Sequence, residues 1–195
     1  MKRFATPQEY AHAVAAFLTP TARSRSYLDW LLAGETLELH TEADALIRAV
    51  NEAEDGSDRL TTLRMKFLCE AGDVLFALLV PDVSLSDDAH LLAHATALEV
   101  WERPKRNAWY AGRELRHLVV AVGDFASANA KEIREPASRA RRCTQRREAA
   151  VRAISALSNL LWIFGYSLSD AAAANYAKLQ DRFERGMICG DGSHR

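Results

Sequence analysis

Four acids occupy positions that helical patterning reserves for leucines. From Tyr27 onward the apolar face runs Leu28, Leu31/Leu32, Glu35 and Glu38/Leu39; in the next helical segment it runs Leu63, Phe67, Glu70, Asp73/Val74 and Ala77. Residues three apart are neighbours on a helix, so Glu35 with Glu38, and Glu70 with Asp73, interrupt two stripes that should pack together. A buried ionised carboxylate without a partner is costly, and four together repel. No Lys or Arg stands three or four residues after Glu35, Glu38 or Glu70. A divalent cation is the natural compensation. Carboxylates with no Cys or His among them make a hard, all-oxygen site that suits Mg²⁺, or Mn²⁺, rather than zinc. Di-iron bundle sites use Glu-x-x-His pairs, and the positions three after the leading glutamates here are Glu38 and Asp73. A single acidic pair is ordinarily a solvated face; two pairs in register with leucine stripes favour a site.

Two glycines sharpen the pattern. Gly34 precedes Glu35 and Gly72 precedes Asp73. Each costs a helix about 1 kcal/mol relative to Ala, which points to close helix approach or room for a ligand.

The segment Leu31-Leu32-Ala33-Gly34-Glu35-Thr36-Leu37-Glu38, followed after a polar turn by Cys69-Glu70-Ala71-Gly72-Asp73-Val74-Leu75-Phe76, resembles the paired ExxE and ExxD signature of MazG-type nucleoside triphosphate pyrophosphohydrolases. Asn175-Tyr176-Ala177-Lys178-Leu179-Gln180-Asp181-Arg182, then Arg185-Gly186 and the tail Gly190 to Arg195, resembles the N-x-x-K-L-x-x-R ending of that family. The resemblance covers about residues 6–80 and 147–195; residues 81–146 separate parts that are nearly contiguous in compact members. It implies an all-α multi-helix bundle in which Glu35, Glu38, Glu70 and Asp73 hold Mg²⁺ or Mn²⁺ against a triphosphate. Water, oriented by one of the glutamates, attacks the α-phosphorus to give a nucleoside monophosphate and pyrophosphate. Lys178 and Arg182, four apart, are expected to bind phosphate oxygens, and Asn175 to reach base or sugar. Trp30 and Tyr27 offer rings for stacking on a base, though such aromatics more often belong to a core. The alternative is a non-catalytic helical nucleotide-binding or protein-interaction module that keeps the bundle.

The elements that position these residues read as helices throughout. Thr6-Pro7-Gln8-Glu9 is a helix start, with Thr6 as cap and Pro7 in the first turn. A long helix follows from Tyr27 to Val50, the polar stretch from Asn51 to Asp58 reads as a turn, and a second helix runs from Leu60 until Pro81 ends it. Another segment is expected from Ser86, with a break at Pro104. Arg113 to Ile133 and Arg147 to Phe164 have helical patterns. Gly165-Tyr166-Ser167 forms a turn, and Ser169 is expected to cap a last helix ending near Arg185. No stretch alternates as a strand would, so the expectation is a single all-α domain over residues 1–195.

A faint internal repeat offers a second organisation. Gly123-Asp124 echoes Gly34-Glu35, with Ser127 in place of the second glutamate, and Ala149 and Arg152 fall where an ExxD pair would sit. A catalytic-type unit at 6–80 would then be fused to a degenerate copy at 107–185, with 186–195 as a tail. MazG-type proteins include both dimers of short chains and single chains resembling fused halves, so a homodimer and a fused tandem both stay open.

Composition bounds the function classes. Of 195 residues, 49% are hydrophobic and 26% charged, which argues against disorder. Lys and Arg number 25 against 26 Asp and Glu, for a net charge of -1, so a generic nucleic-acid partner is disfavoured. The longest apolar run, Val74 to Val80, is too short for a membrane span, and the N-terminus lacks the apolar stretch of a secretory signal. Three cysteines without CxxC spacing fit a reducing, cytoplasmic setting. His90 and His94, four apart, lack a third ligand. The arginine-rich stretch from Arg134 to Arg147 reads as a solvated helix or loop. P-loop, Rossmann, serine-hydrolase and zincin motifs do not occur.

Overall fold

Apolar residues at spacings of three, four and seven make amphipathic helices that must bury one face against a neighbour. The computed structural model describes residues 4, 7–15, 17, 25–52, 58–84, 107–134 and 139–187, and these are all-α. Six α-helices stand among them: α1 (Pro7–Ala15), α2 (Arg25–Asn51), α3 (Asp58–Ser84), α4 (Ala111–Arg134), α5 (Arg139–Ile163) and α6 (Leu168–Glu184). A 3₁₀ turn, Ala108–Tyr110, leads into α4. Thr6, the starts expected near Ser86 and Pro104, His90 and His94, Cys189, the tail from Gly190, and the side chains of Tyr27 and Leu28 lie outside what is described.

The short link between two 27-residue helices forces α2 and α3 into an antiparallel hairpin. Glu35 sits roughly four turns before the end of α2 and Glu70 roughly three turns after the start of α3, so the hairpin brings them level. Helices α4 and α5 form a second pair, and α4 also lies against α2. Helix α6 crosses α3, and α1 packs on both. The connected core draws on every helix, with Tyr10, Leu39, Phe67, Leu118, Leu157 and Leu168 among its members. Full burial of such a side chain stabilises by about 1.5–3 kcal/mol. No single helix among the described residues is long and apolar enough to cross a membrane.

Three boundaries differ from expectation. Helix α3 runs through Pro81 to Ser84. Proline's fixed φ is itself helical, and near a helix end its missing N–H removes only one ladder bond. Helix α5 starts at Arg139 rather than Arg147, because arginine is a good helix former even where no apolar stripe advertises it. Ser167, not Ser169, caps α6. Its Oγ accepts from the Asp170 amide while the Asp170 carboxylate accepts from the Ser167 amide, a reciprocal box that requires the acid at the third helical position. Ser169 instead donates its hydroxyl to the Phe4 carbonyl, 3.1 Å away. Gly165, at φ 88°, supplies the left-handed residue that ends α5 and lets the Tyr166 amide reach the Leu161 carbonyl.

Helices α3 and α6 cross closely at Gly72. A Cβ on Gly72 would stand 2.5 Å from the Ala171 carbonyl oxygen and 2.7 Å from Asn175 Cβ. Ala171 and Asn175, four apart and so on one face of α6, form this approach. Gly34 has no such neighbour: a Cβ there meets nothing within 4 Å, so close packing accounts for only one of the two helical glycines.

Candidate metal centre

Glu35, Glu38 and Glu70 converge. One carboxylate oxygen from each lies within 4.8 Å of the others. Their exposure is graded: Glu35 is 7% exposed, Glu70 is partly buried, and Glu38 opens to solvent. Glu70 Oε2 is buried and accepts no hydrogen bond among the described residues. A carboxylate oxygen removed from water without a donor asks for a cation or a proton. Burial, repulsion from Asp73, Glu35 and Glu38, and partial relief by Lys178 together push the Glu70 carboxyl up to about 7.

Asp73 is buried beside the cluster but faces α6. Its Oδ1 accepts from Asn175 Nδ2, and its Oδ2 accepts from Lys178 Nζ. Lys178 Nζ also stands 3.9 Å from Glu70 Oε1. Burial lowers the proton affinity of Lys178, but the charge and hydrogen bond of Asp73 and the charge of Glu70 outweigh it, and the net shift is upward. Asn175 is 1% exposed; its Oδ1 accepts from the Tyr10 hydroxyl at 2.7 Å. A carboxylate only accepts, so Asp73 fixes which end of the amide faces it and Tyr10 must donate to the other. Tyr10 therefore closes a chain of four side chains that ends at the acid cluster.

The quartet expected from sequence thus divides into three glutamates with clustered carboxylate oxygens, which could hold one ion, and an aspartate engaged by α6. Of the residues expected to bind substrate, Asn175 is buried with both ends of its amide occupied, Lys178 lies between Asp73 and Glu70, and Arg182 is exposed one turn further along α6. Trp30 is 79% exposed on α2, not a core aromatic. Sequence reasoning missed Tyr10, which carries no signal beyond an aromatic in a short helix. It also missed Glu114, a buried acid on α4. That carboxylate accepts from Arg113 Nε at 2.9 Å and from Asn159 Nδ2 at 3.2 Å, so the protein itself satisfies it. Cys69 and Cys143 are free thiols, and burial pushes the Cys69 thiol up.

In the second helix pair, Asp124 and Arg152 do meet: Arg152 Nη2 donates to Asp124 Oδ2 at 2.9 Å. Both are more than half exposed, and Ala149 is buried. These positions carry an exposed ion pair, not an acid cluster. Comparison with known proteins gives no match at any level: no family model, no curated protein and no solved structure matches the chain.

Proposed function

We propose that the chain is a Mg²⁺-dependent nucleoside triphosphate pyrophosphohydrolase of the MazG type, converting a (d)NTP to the monophosphate and pyrophosphate. The observation that carries this reading is the convergence of Glu35, Glu38 and Glu70 around a buried, donor-less Glu70 oxygen. The all-oxygen donor set suits Mg²⁺ or Mn²⁺. Bound there, such an ion supplies Lewis-acid neutralisation of the triphosphate. Arg182, exposed on α6, is available for phosphate oxygens, and Lys178 joins it by exchanging the Asp73 carboxylate for phosphate. Trp30, exposed on α2 five residues before Glu35, offers a ring for stacking on a base. Tyr10 and Asn175 hold Asp73, and through it Lys178, in register with the glutamates.

The test is incubation with a panel of ribo- and deoxyribonucleoside triphosphates plus Mg²⁺, with pyrophosphate as the readout. Glu70→Gln should lower turnover by about 10²-fold or more with its helical circular dichroism intact. Full activity in that variant removes Glu70 from the mechanism. Nucleotide and metal binding with no pyrophosphate from any substrate would instead make the chain a binding module.

A further inference from the structure

The two acid pairs are not equivalent. Glu35, Glu38 and Glu70 bring carboxylate oxygens within 4.8 Å of one another, while both oxygens of Asp73 are taken by donors on α6. One of those donors is a full positive charge, and it reaches back to within 3.9 Å of Glu70 Oε1. The Lys178 ammonium therefore stands between Asp73 and Glu70, so the Asp73 carboxylate meets a fixed positive charge before it meets the cluster. Its place is not left to side-chain flexibility. Asp73 is held on its far oxygen by Asn175, Asn175 is held by the Tyr10 hydroxyl, and Gly72 lets α6 come near enough for all three contacts.

We propose that Asp73 is the counter-ion of Lys178 and not a metal ligand, and that the tethered ammonium restricts the glutamate cluster to one divalent ion in the absence of nucleotide. The inference rests on reading the cluster as a metal centre. Three glutamates next to a neutralised Lys178–Asp73 pair are served by one dication. A second dication would have to displace the ammonium from a partly buried hydrogen-bonded pair, and separating such a pair leaves a charge uncompensated.

The experiment is a calorimetric titration of the full chain with Mn²⁺ in the absence of nucleotide. Wild type should bind one ion. Asp73→Asn alone is a poor probe, because the freed lysine would repel Mn²⁺ whether or not Asp73 is a ligand. The charge-conserving double variant Asp73→Asn/Lys178→Met removes both partners while leaving an amide oxygen for Asn175 to bond. It should keep one Mn²⁺ with affinity within about threefold of wild type, as expected when a pair is replaced rather than broken. Glu70→Gln should lose about tenfold or more, since affinity follows ligand charge count. Lys178→Met alone releases Asp73 and should add a second ion or tighten the first by about tenfold. A double variant that folds and loses Mn²⁺ as Glu70→Gln does, a Lys178→Met variant that binds more weakly, or two ions in wild type overturns the proposal while leaving the metal centre standing. No Mn²⁺ binding by wild type overturns both.

Discussion

The Tyr10 hydroxyl on α1 donates to Asn175 Oδ1 on α6 at 2.7 Å, joining residues 165 positions apart beneath the acid cluster. The same hydroxyl lies 3.4 Å from the Gly72 carbonyl, so α1, α3 and α6 meet at one buried oxygen. Burial, reinforced by the nearby Asp73 charge, holds the Tyr10 phenol well above its usual range, and it stays a donor across neutral pH. Tyr10→Phe keeps the ring against Phe4, whose centroid is 5.4 Å away, and removes only the donor. Leaving Asn175 Oδ1 buried without a partner should cost about 1–3 kcal/mol in urea unfolding. An unchanged unfolding midpoint would mean that the hydroxyl contributes nothing to the brace.

Two glycines of similar sequence context should respond with opposite sign. Gly72→Ala drives a methyl group into the Ala171 carbonyl and the Asn175 side chain, neither of which can move without shifting α6. Overpacking of this kind costs about 1–3 kcal/mol, and here it also displaces Lys178 from Asp73. Gly34→Ala meets open space on a helix and should stabilise by about 1 kcal/mol. Thermal melts of the two single variants decide the matter. Destabilisation by Gly34→Ala would reveal a constraint on α2 that its surroundings do not show.

The Glu70 carboxyl gives a pH signature. Its affinity for a proton is higher in the folded protein, at about 7, than the ordinary 4.5. Between those values the folded chain binds more protons than the unfolded one, so stability should fall as pH rises through the window and level off above it. A divalent ion bound by the ionised cluster competes with that proton, so its affinity should rise with pH over the same range. Melting temperatures in EDTA, compared with those in Mn²⁺, test both statements. A melting temperature in EDTA that climbs from about pH 5 to about pH 7 would contradict the burial of Glu70.

The long helices were legible because leucine spacing reports a buried face directly, and Glu35, Glu70 and Asp73 were conspicuous for interrupting it. What the pattern could not express was partner choice. Asp73 and Glu38 looked alike as the second acids of their pairs, yet one is sealed under α6 and the other opens to water, because only α3 is crossed closely at Gly72. The counter-charge was invisible for a related reason. A search for Lys or Arg at helical spacings finds neighbours on the same helix, whereas Lys178 arrives from an element 105 residues further on. Tyr10 has the same origin: its role exists only once three helices are assembled. Pro81 and the start of α5 misled in the opposite direction, since a proline and the lack of an apolar stripe before Arg147 predicted helix boundaries that helix continuity overrode.

Helix α6 carries Asn175, Lys178 and Arg182, so its first turn offers a way to perturb stability without touching the cluster. The cap at Ser167 satisfies the Asp170 amide, and Asp170 returns a bond to the Ser167 amide. Ser167→Ala removes the hydroxyl acceptor and should cost about 1 kcal/mol. Ser169→Ala, which loses one bond from its hydroxyl to the Phe4 carbonyl, should cost no more than that. Asn175 lies two turns inside the helix, pinned by Tyr10 and Asp73, so fraying at the cap should not reach it. Both variants should therefore melt earlier yet bind Mn²⁺ as wild type does. A cap variant that loses Mn²⁺ affinity in step with its stability would show that α6 docks as one rigid unit from its first residue, and that the brace at Asn175 is too weak to hold the site alone.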